Sequence, residues 1–178
     1  ARNTGGHGVH SPYLFEWVRM VMSDKNAYYA WQAIEDLRSE LLHDTREMEF
    51  VDFGSGGRNG KEAKKRQGYK TNKRVCDIAK GSLAKKKYAQ LLARLVGWLG
   101  ENGERNGERG GLTVVELGTS LGITTAYMAA MDSRNRIVSC EGCPAVAEIA
   151  MANWKKLGLK NVECRVGELT IDSLQGAV

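Results

Sequence analysis

Residues 112–125 read Leu112-Thr113-Val114-Val115-Glu116-Leu117-Gly118-Thr119-Ser120-Leu121-Gly122-Ile123-Thr124-Thr125. An apolar run, Leu112 to Leu117, ends in an acid and a glycine, and a helical pattern follows from Leu121 to Met131. This is a strand, a sharp turn and a helix. Gly118 lets the chain turn, and Gly122 lets the helix start lie close to a ligand, because glycine has no Cβ to forbid either. The alternation continues with a strand at Arg136–Glu141, a helix at Ala145–Leu157 stopped by Gly158, and a strand at Asn161–Val166. Strands alternating with helices of this length predict an α/β fold of βαβ units, with a parallel sheet and right-handed crossovers.

Ligands of such open sheets bind at the carboxyl ends of the strands. A dinucleotide fingerprint would need glycines at positions 120 and 123, where this chain has Ser120 and Ile123. A pyrophosphate pressed against the backbone is therefore disfavoured, and with it a nicotinamide dehydrogenase. A ligand with a nucleoside but no phosphates fits better. Glu141 closes the second strand, 25 residues after Glu116, where an acid accepts both hydroxyls of a ribose. The third strand ends Gly167-Glu168-Leu169, a backbone and side-chain pair suited to flank an adenine.

Val114 to Thr125 resembles the glycine motif of class I S-adenosylmethionine-dependent methyltransferases, nearest to the catechol and caffeoyl-CoA type of small-molecule O-methyltransferase. Glu141-Gly142-Cys143-Pro144 is similar to that group's ribose-binding acid and helix start, and Leu157-Gly158-Leu159-Lys160-Asn161-Val162 with Gly167-Glu168 to its third-strand signature. The resemblance implies a Rossmann-like methyltransferase fold, a partial parallel sheet of strand order 3-2-1 behind a helical N-terminal segment. It implies S-adenosylmethionine as cofactor. Gly118 and Gly122 would approach its methionine part, Thr119 between them would belong to the cofactor-binding turn, and Glu116, Ser120 and Thr124 would hold its ammonium and carboxylate. Glu141 would hold the ribose with Gly142 and Cys143 beside the adenosine, and Gly167, Glu168 and Leu169 would line the adenine. Val75 to Leu92 looks like the segment that covers the sulfonium in this group.

A class I sheet has seven strands, and this chain reaches Val178 soon after the third. The expectation is a truncated enzyme. Metal-dependent relatives carry their metal-binding acids beyond the third strand. A divalent metal is thus an expectation for the full-length protein, and no metal ligand or catalytic base is assigned here. The first strand would have an open edge, over which Phe50 to Phe53 is placed.

The chain has 178 residues, 42% of them hydrophobic, enough for one domain with a real core. No run approaches the roughly 18 apolar residues of a membrane span, and the start, Ala1-Arg2-Asn3-Thr4, shows no signal peptide. Four cysteines are too few for a disulfide scaffold, so the expectation is a cytoplasmic protein with reduced thiols. Four segments follow: a helical cap over 1–48, a strand, basic segment and helix over 49–100, a glycine-rich linker over 101–111, and the cofactor-binding half over 112–178. In the cap, Ser11-Pro12 signals a helix start, with Leu14, Trp17, Val18, Val21 and Met22 on one helix face; Ala30, Ile34, Leu37 and Leu41 mark a second helix. A later helix carries Leu91, Leu92, Leu95, Val96 and Leu99 on one side and ends near Gly100.

The net charge is +5, yet Arg58 to Lys87 holds twelve Lys or Arg against two acids. Read as a solvated face, this block keeps the protein soluble; read as a binding face, Lys64, Lys65, Arg66, Lys85, Lys86 and Lys87 would meet nucleic acid, as in an RNA-directed methyltransferase. A further alternative is a non-catalytic cofactor-binding subunit, and a homodimer is compatible with either. Phe50-Val51-Asp52-Phe53-Gly54-Ser55-Gly56-Gly57 mimics the glycine motif, but no apolar helix follows, so it is a strand and tight turn; Lys61 to Lys73 is too polar for strand or helix. Cys140 and Cys143 form a C-x-x-C with no second pair, hence buried hydrophobes rather than a zinc site. His7 and His10 read as capping and packing residues, and His43 as a helix C-terminal residue favoured by the dipole. Trp17, Trp31, Trp98 and Trp154 read as core.

Overall fold

The computed structural model describes residues 8, 10–26, 28–52, 69–102, 104–105, 108–109 and 111–167. In chain order the elements are α1 (Pro12–Trp17), a π-helical turn (Val18–Met22), α2 (Tyr29–His43), β1 (Glu47–Asp52), β2 (Tyr69–Arg74), α3 (Val75–Ser82) and α4 (Lys86–Asn102). There follow β3 (Glu104–Arg105), β4 (Glu108–Arg109), β5 (Thr113–Leu117), α5 (Ile123–Ala129), β6 (Arg136–Glu141), α6 (Pro144–Lys156) and β7 (Val162–Val166).

β5, β6 and β7 form a parallel sheet in that order, with Leu117 opposite Cys140 and Glu141 opposite Val166. This is the expected Rossmann-like βαβαβ unit in strand order 3-2-1. The central strand is buried along its middle, as parallel strands covered on both faces are; its Ile137, Val138, Ser139 and Cys140 are all buried. The strand ends match the sequence reading within a residue. α5 is shorter, because Leu121 and Gly122 belong to the turn.

One core joins this unit to the N-terminal helices. Leu121, Ile123, Tyr127, Val146 and Trp154 pack with Trp31, Ile34, Leu37 and Leu41 of α2 and Val75 and Ile78 of α3. Burying each such side chain is worth about 1.5–3 kcal/mol. Trp98 is also buried and Trp17 partly so.

Elsewhere the fold departs from the local pattern. The helix predicted over Leu14–Met22 starts as expected, with Ser11 accepting from the Leu14 N–H and Pro12 in the first turn. It then widens into a π-turn, where Ser23 N–H reaches back five residues to Val18 O at 2.9 Å. The wider turn rotates the stripe, so Val21 is buried while Leu14 and Met22 are exposed. Arg94 of α4 donates to Val21 O at 2.7 Å.

On α4 the expected leucine face packs only in part, with Val96 buried and Leu91 and Leu95 half-buried. Ala89, Ala93, Val96, Gly97 and Gly100 face the core, and Leu92 and Leu99 look outward. Small residues win because α4 lies close against the α5 unit: a Cβ at Gly97 would stand 2.8 Å from Met131 Cε. The helix also runs past Gly100 to Asn102, whose amide donates to Trp98 O at 2.8 Å. The expected linker then carries the short antiparallel pair β3–β4, Glu104 opposite Arg109 and Arg105 opposite Glu108.

The polar stretch ending at Lys73 was expected to form neither strand nor helix, yet β2 pairs antiparallel with β1, Glu47 opposite Arg74 through Asp52 opposite Tyr69. An antiparallel strand with one solvated face needs little apolar content of its own. The pair covers α6 rather than the open edge of β5: Val51 N–H meets Cys143 Sγ at 3.3 Å, and Cys143 Sγ–H points to Glu49 O at 3.8 Å. Gly54 to Gly57 lie outside the described residues.

Candidate functional site

The three strand ends form one edge. Their ladder continues past the strands, since Gly118 N–H donates to Cys140 O and Gly167 N–H to Glu141 O, both at 2.9 Å. This sets Gly118, Glu141 and Gly167 side by side. Gly118 has φ +90° and Gly167 φ +141°, and nothing lies within 4 Å of the place a Cβ would occupy at either. A left-handed backbone over open space suits close approach of a ligand.

Glu141 is fixed across two loops. Its Oε2 accepts from Ser120 N–H at 2.8 Å, and its Oε1 accepts from Cys143 N–H at 3.0 Å. Ser120 has φ +50°, uncommon for a residue with a side chain. Each carboxylate oxygen carries further lone pairs, so Glu141 can accept from a vicinal diol while staying anchored.

Glu116 lies deeper. Its Oε2 accepts from Thr125 Oγ1 at 2.5 Å and Ser139 Oγ at 2.6 Å. Ser139 spends its hydrogen on Glu116, so at the 2.6 Å contact between the two hydroxyls Thr119 is the donor. Burial pushes the Glu116 carboxyl above its ordinary value, hydrogen bonds from Ser139 and Thr125 pull it back, and the charge of Glu141 pushes it up again. A carboxyl raised on folding stabilises the fold while protonated, and that contribution is lost as pH rises from the ordinary carboxylate range through the raised value. Glu116→Gln, which keeps an acceptor for both hydroxyls, should therefore raise Tm at pH 7. The gain should vanish near pH ~3, where the acid is protonated in both states. A thermal melt series across pH checks this, and a gain that persists at low pH contradicts it.

Among the other expected site residues, Thr119 is buried and turned toward Ser139, leaving only its backbone at the edge. Cys143 is buried, with its thiol turned to β1. Gly122 has φ +77° and meets α6, not open space: a Cβ there would stand 2.5 Å from Trp154 Nε1. Thr124 and Gly142 are partly exposed. Glu168 and Leu169 lie outside the described residues, as does His7, while His10 is exposed. Sequence reasoning missed Ser139 and Thr125 as partners of Glu116. The available signal was Ser139 itself, a polar residue in an otherwise apolar buried strand. Cys76 and Cys140 are also buried thiols and Cys164 is half-buried, all free.

Lys85, Lys86 and Lys87 are exposed at the start of α4, and Lys64, Lys65 and Arg66 lie outside the described residues. Among the described residues, no three His, Cys, Asp or Glu gather where they could hold a metal ion. No described helix is long and apolar enough to cross a membrane.

Three solved structures give the scale of similarity. Cofactor-bound Rv0187 from MTB is 18% identical at a TM-score of 0.47, matching 90% of this chain and 53% of its own. An O-methyltransferase from Bacillus cereus in complex with SAH is 18% identical at 0.46, matching 92% of this chain and 53% of its own. A protein-L-isoaspartate O-methyltransferase is 17% identical at 0.37, matching 89% of this chain and 38% of its own. The chain thus spans about half the length of the first two. A search of the curated proteins finds no match. A family model of protein-L-isoaspartate(D-aspartate) O-methyltransferases (PCMT) matches residues 65–172. That match runs from before β2 to beyond β7, takes in all three strand ends and covers more than half of the sequence, so the chain belongs to the PCMT family.

Proposed function

We propose that this chain binds S-adenosylmethionine at the carboxyl edge of β5, β6 and β7, as the cofactor-binding part of an enzyme that methylates an oxygen of a small molecule. The observation that carries the reading is Glu141, held by Ser120 N–H and Cys143 N–H between two open glycine backbones. The residues fit the cofactor. Glu141 offers a pinned carboxylate to the ribose hydroxyls. Gly118 and Gly167 leave room for close approach on either side of it. Glu116 Oε1 makes no hydrogen bond among the described residues and is open to a cationic donor.

When bound, S-adenosylmethionine supplies a methyl group on a sulfonium sulfur, ready for in-line attack by a nucleophile. The chain's own residues bind and orient. The end of α3 reaches the glycine turn through Ser82, which supports the reading of this segment as the cover of the site. An oxygen acceptor agrees with the family's description. That the acceptor is a small molecule rests on the sequence resemblance over Val114–Thr125.

Calorimetric titration of the chain with S-adenosylhomocysteine tests the proposal. Saturable one-to-one binding is expected, and an absence of binding overturns it.

A further inference from the structure

Ser82 is the last residue of α3 and no part of the sheet, yet its hydroxyl touches the glycine turn. Ser82 Oγ lies 2.7 Å from Ile78 O, one helical turn back, and 2.6 Å from Ser120 Oγ. A hydroxyl has one hydrogen to give and two lone pairs to receive. A carbonyl oxygen only accepts, so the Ser82 hydrogen goes to Ile78. Ser120 must then donate to Ser82. The Ser120 N–H is already engaged by Glu141 Oε2 at 2.8 Å. Both donors of Ser120 are therefore in use, and what its side chain offers outward is lone pairs alone.

This polarity is held from behind. Arg38 of α2 donates through Nη1 to Ala84 O at 2.8 Å, two residues past Ser82. The same Arg38 pairs with Glu35 at 2.9 Å, and Glu35 accepts from Tyr127 OH of α5 at 2.7 Å. The end of α3 is thus tied on one side to the glycine turn and on the other, through α2, to the helix that follows that turn.

The amino-acid end of the cofactor carries an ammonium, which only donates, and a carboxylate, which only accepts. We propose that Ser82 is a positioning residue: it locks Ser120 as an acceptor and so assigns Ser120 to the ammonium rather than to the carboxylate. The inference rests on the methyltransferase reading above.

The test compares two probes by calorimetry, S-adenosylhomocysteine and 5′-methylthioadenosine, which keeps the nucleoside and thioether but lacks the amino-acid end. Ser82→Ala should weaken S-adenosylhomocysteine by about tenfold and leave 5′-methylthioadenosine unchanged. Ser82→Thr, whose hydroxyl can make the same bond one turn back, should restore the affinity. Equal weakening of both probes would mean general loosening and overturns the proposal, as does unchanged affinity in Ser82→Ala or a threonine that fails to rescue. A wild-type chain that binds neither probe overturns the methyltransferase reading itself, which separates the two failures.

Discussion

Glu141→Ala should lower the affinity of the chain for S-adenosylhomocysteine by about a hundredfold. A hydrogen bond to a charged group contributes about 1.5–3 kcal/mol, and Glu141 is placed to accept two from a ribose. Losing both amounts to roughly 3 kcal/mol, or two orders of magnitude. The substitution also leaves Ser120 N–H and Cys143 N–H without their acceptor, so the two loops lose their common anchor. Glu141→Gln separates these effects. It keeps one oxygen as acceptor but removes the charge and turns a second acceptor into a donor, so a loss of about tenfold is expected. Calorimetry on the three proteins gives the answer, and an unchanged affinity in Glu141→Ala would remove the ribose assignment.

Gly122→Ala should be the most damaging single methyl in the chain's turn. The added Cβ would lie 2.5 Å from Trp154 Nε1, 2.8 Å from its Cε2 and 3.0 Å from Ala150 Cβ. Trp154 cannot swing away freely, because it is buried and its indole N–H donates to Gly122 O at 2.8 Å. Asn153 ties the same turn to α6 through Leu121 O at 2.9 Å. A left-handed alanine costs about 1–2 kcal/mol, and forcing a methyl into a filled site typically costs 1–3 kcal/mol. Together about 3 kcal/mol is expected, a fall in Tm of roughly 6–12 °C for a chain of this size. Gly118→Ala is the control: its backbone is also left-handed but its Cβ site is open, so only the backbone cost applies. Equal melting temperatures for the two variants would show that Trp154 yields.

The half of the fold that local chemistry decides was legible in the sequence. β5 is an apolar run that ends in an acid and a glycine, and β6 and β7 are short β-branched segments that run into an acid or a glycine between helices, so no other element is needed to recognise them. Glu141, singled out by its spacing from Glu116 and by the resemblance of Glu141–Pro144, does stand at that edge, where it ties the two loops together. What could not be read lies where distant residues choose between local options. Leucines on α4 form the stronger apolar stripe, yet glycine and alanine face the core because α5 must come close. β2 has hardly an apolar side chain and exists because β1 offers it a partner. The packing of Gly122 was hidden for the same reason: nothing in the turn's own sequence announces that Trp154, far along the chain, will lie against it. Ser82 was invisible, since a serine at the end of a helix is ordinary until its neighbour across the fold is known.

The tie between Tyr127 and Glu35 spans 92 residues, as does that between Cys143 and Val51. During synthesis at about 5–20 residues per second, α2 therefore waits for roughly 5–20 s before its partners in α5 and α6 have been made. Through that interval Trp31, Ile34, Leu37 and Leu41 have only α3 and α4 to pack against, through Val75, Ile78, Ala89 and Ala93, and lack the α5 and α6 side of their core. On the ribosome α2 thus shows a half-covered apolar face first and closes it against the parallel sheet's helices only afterwards.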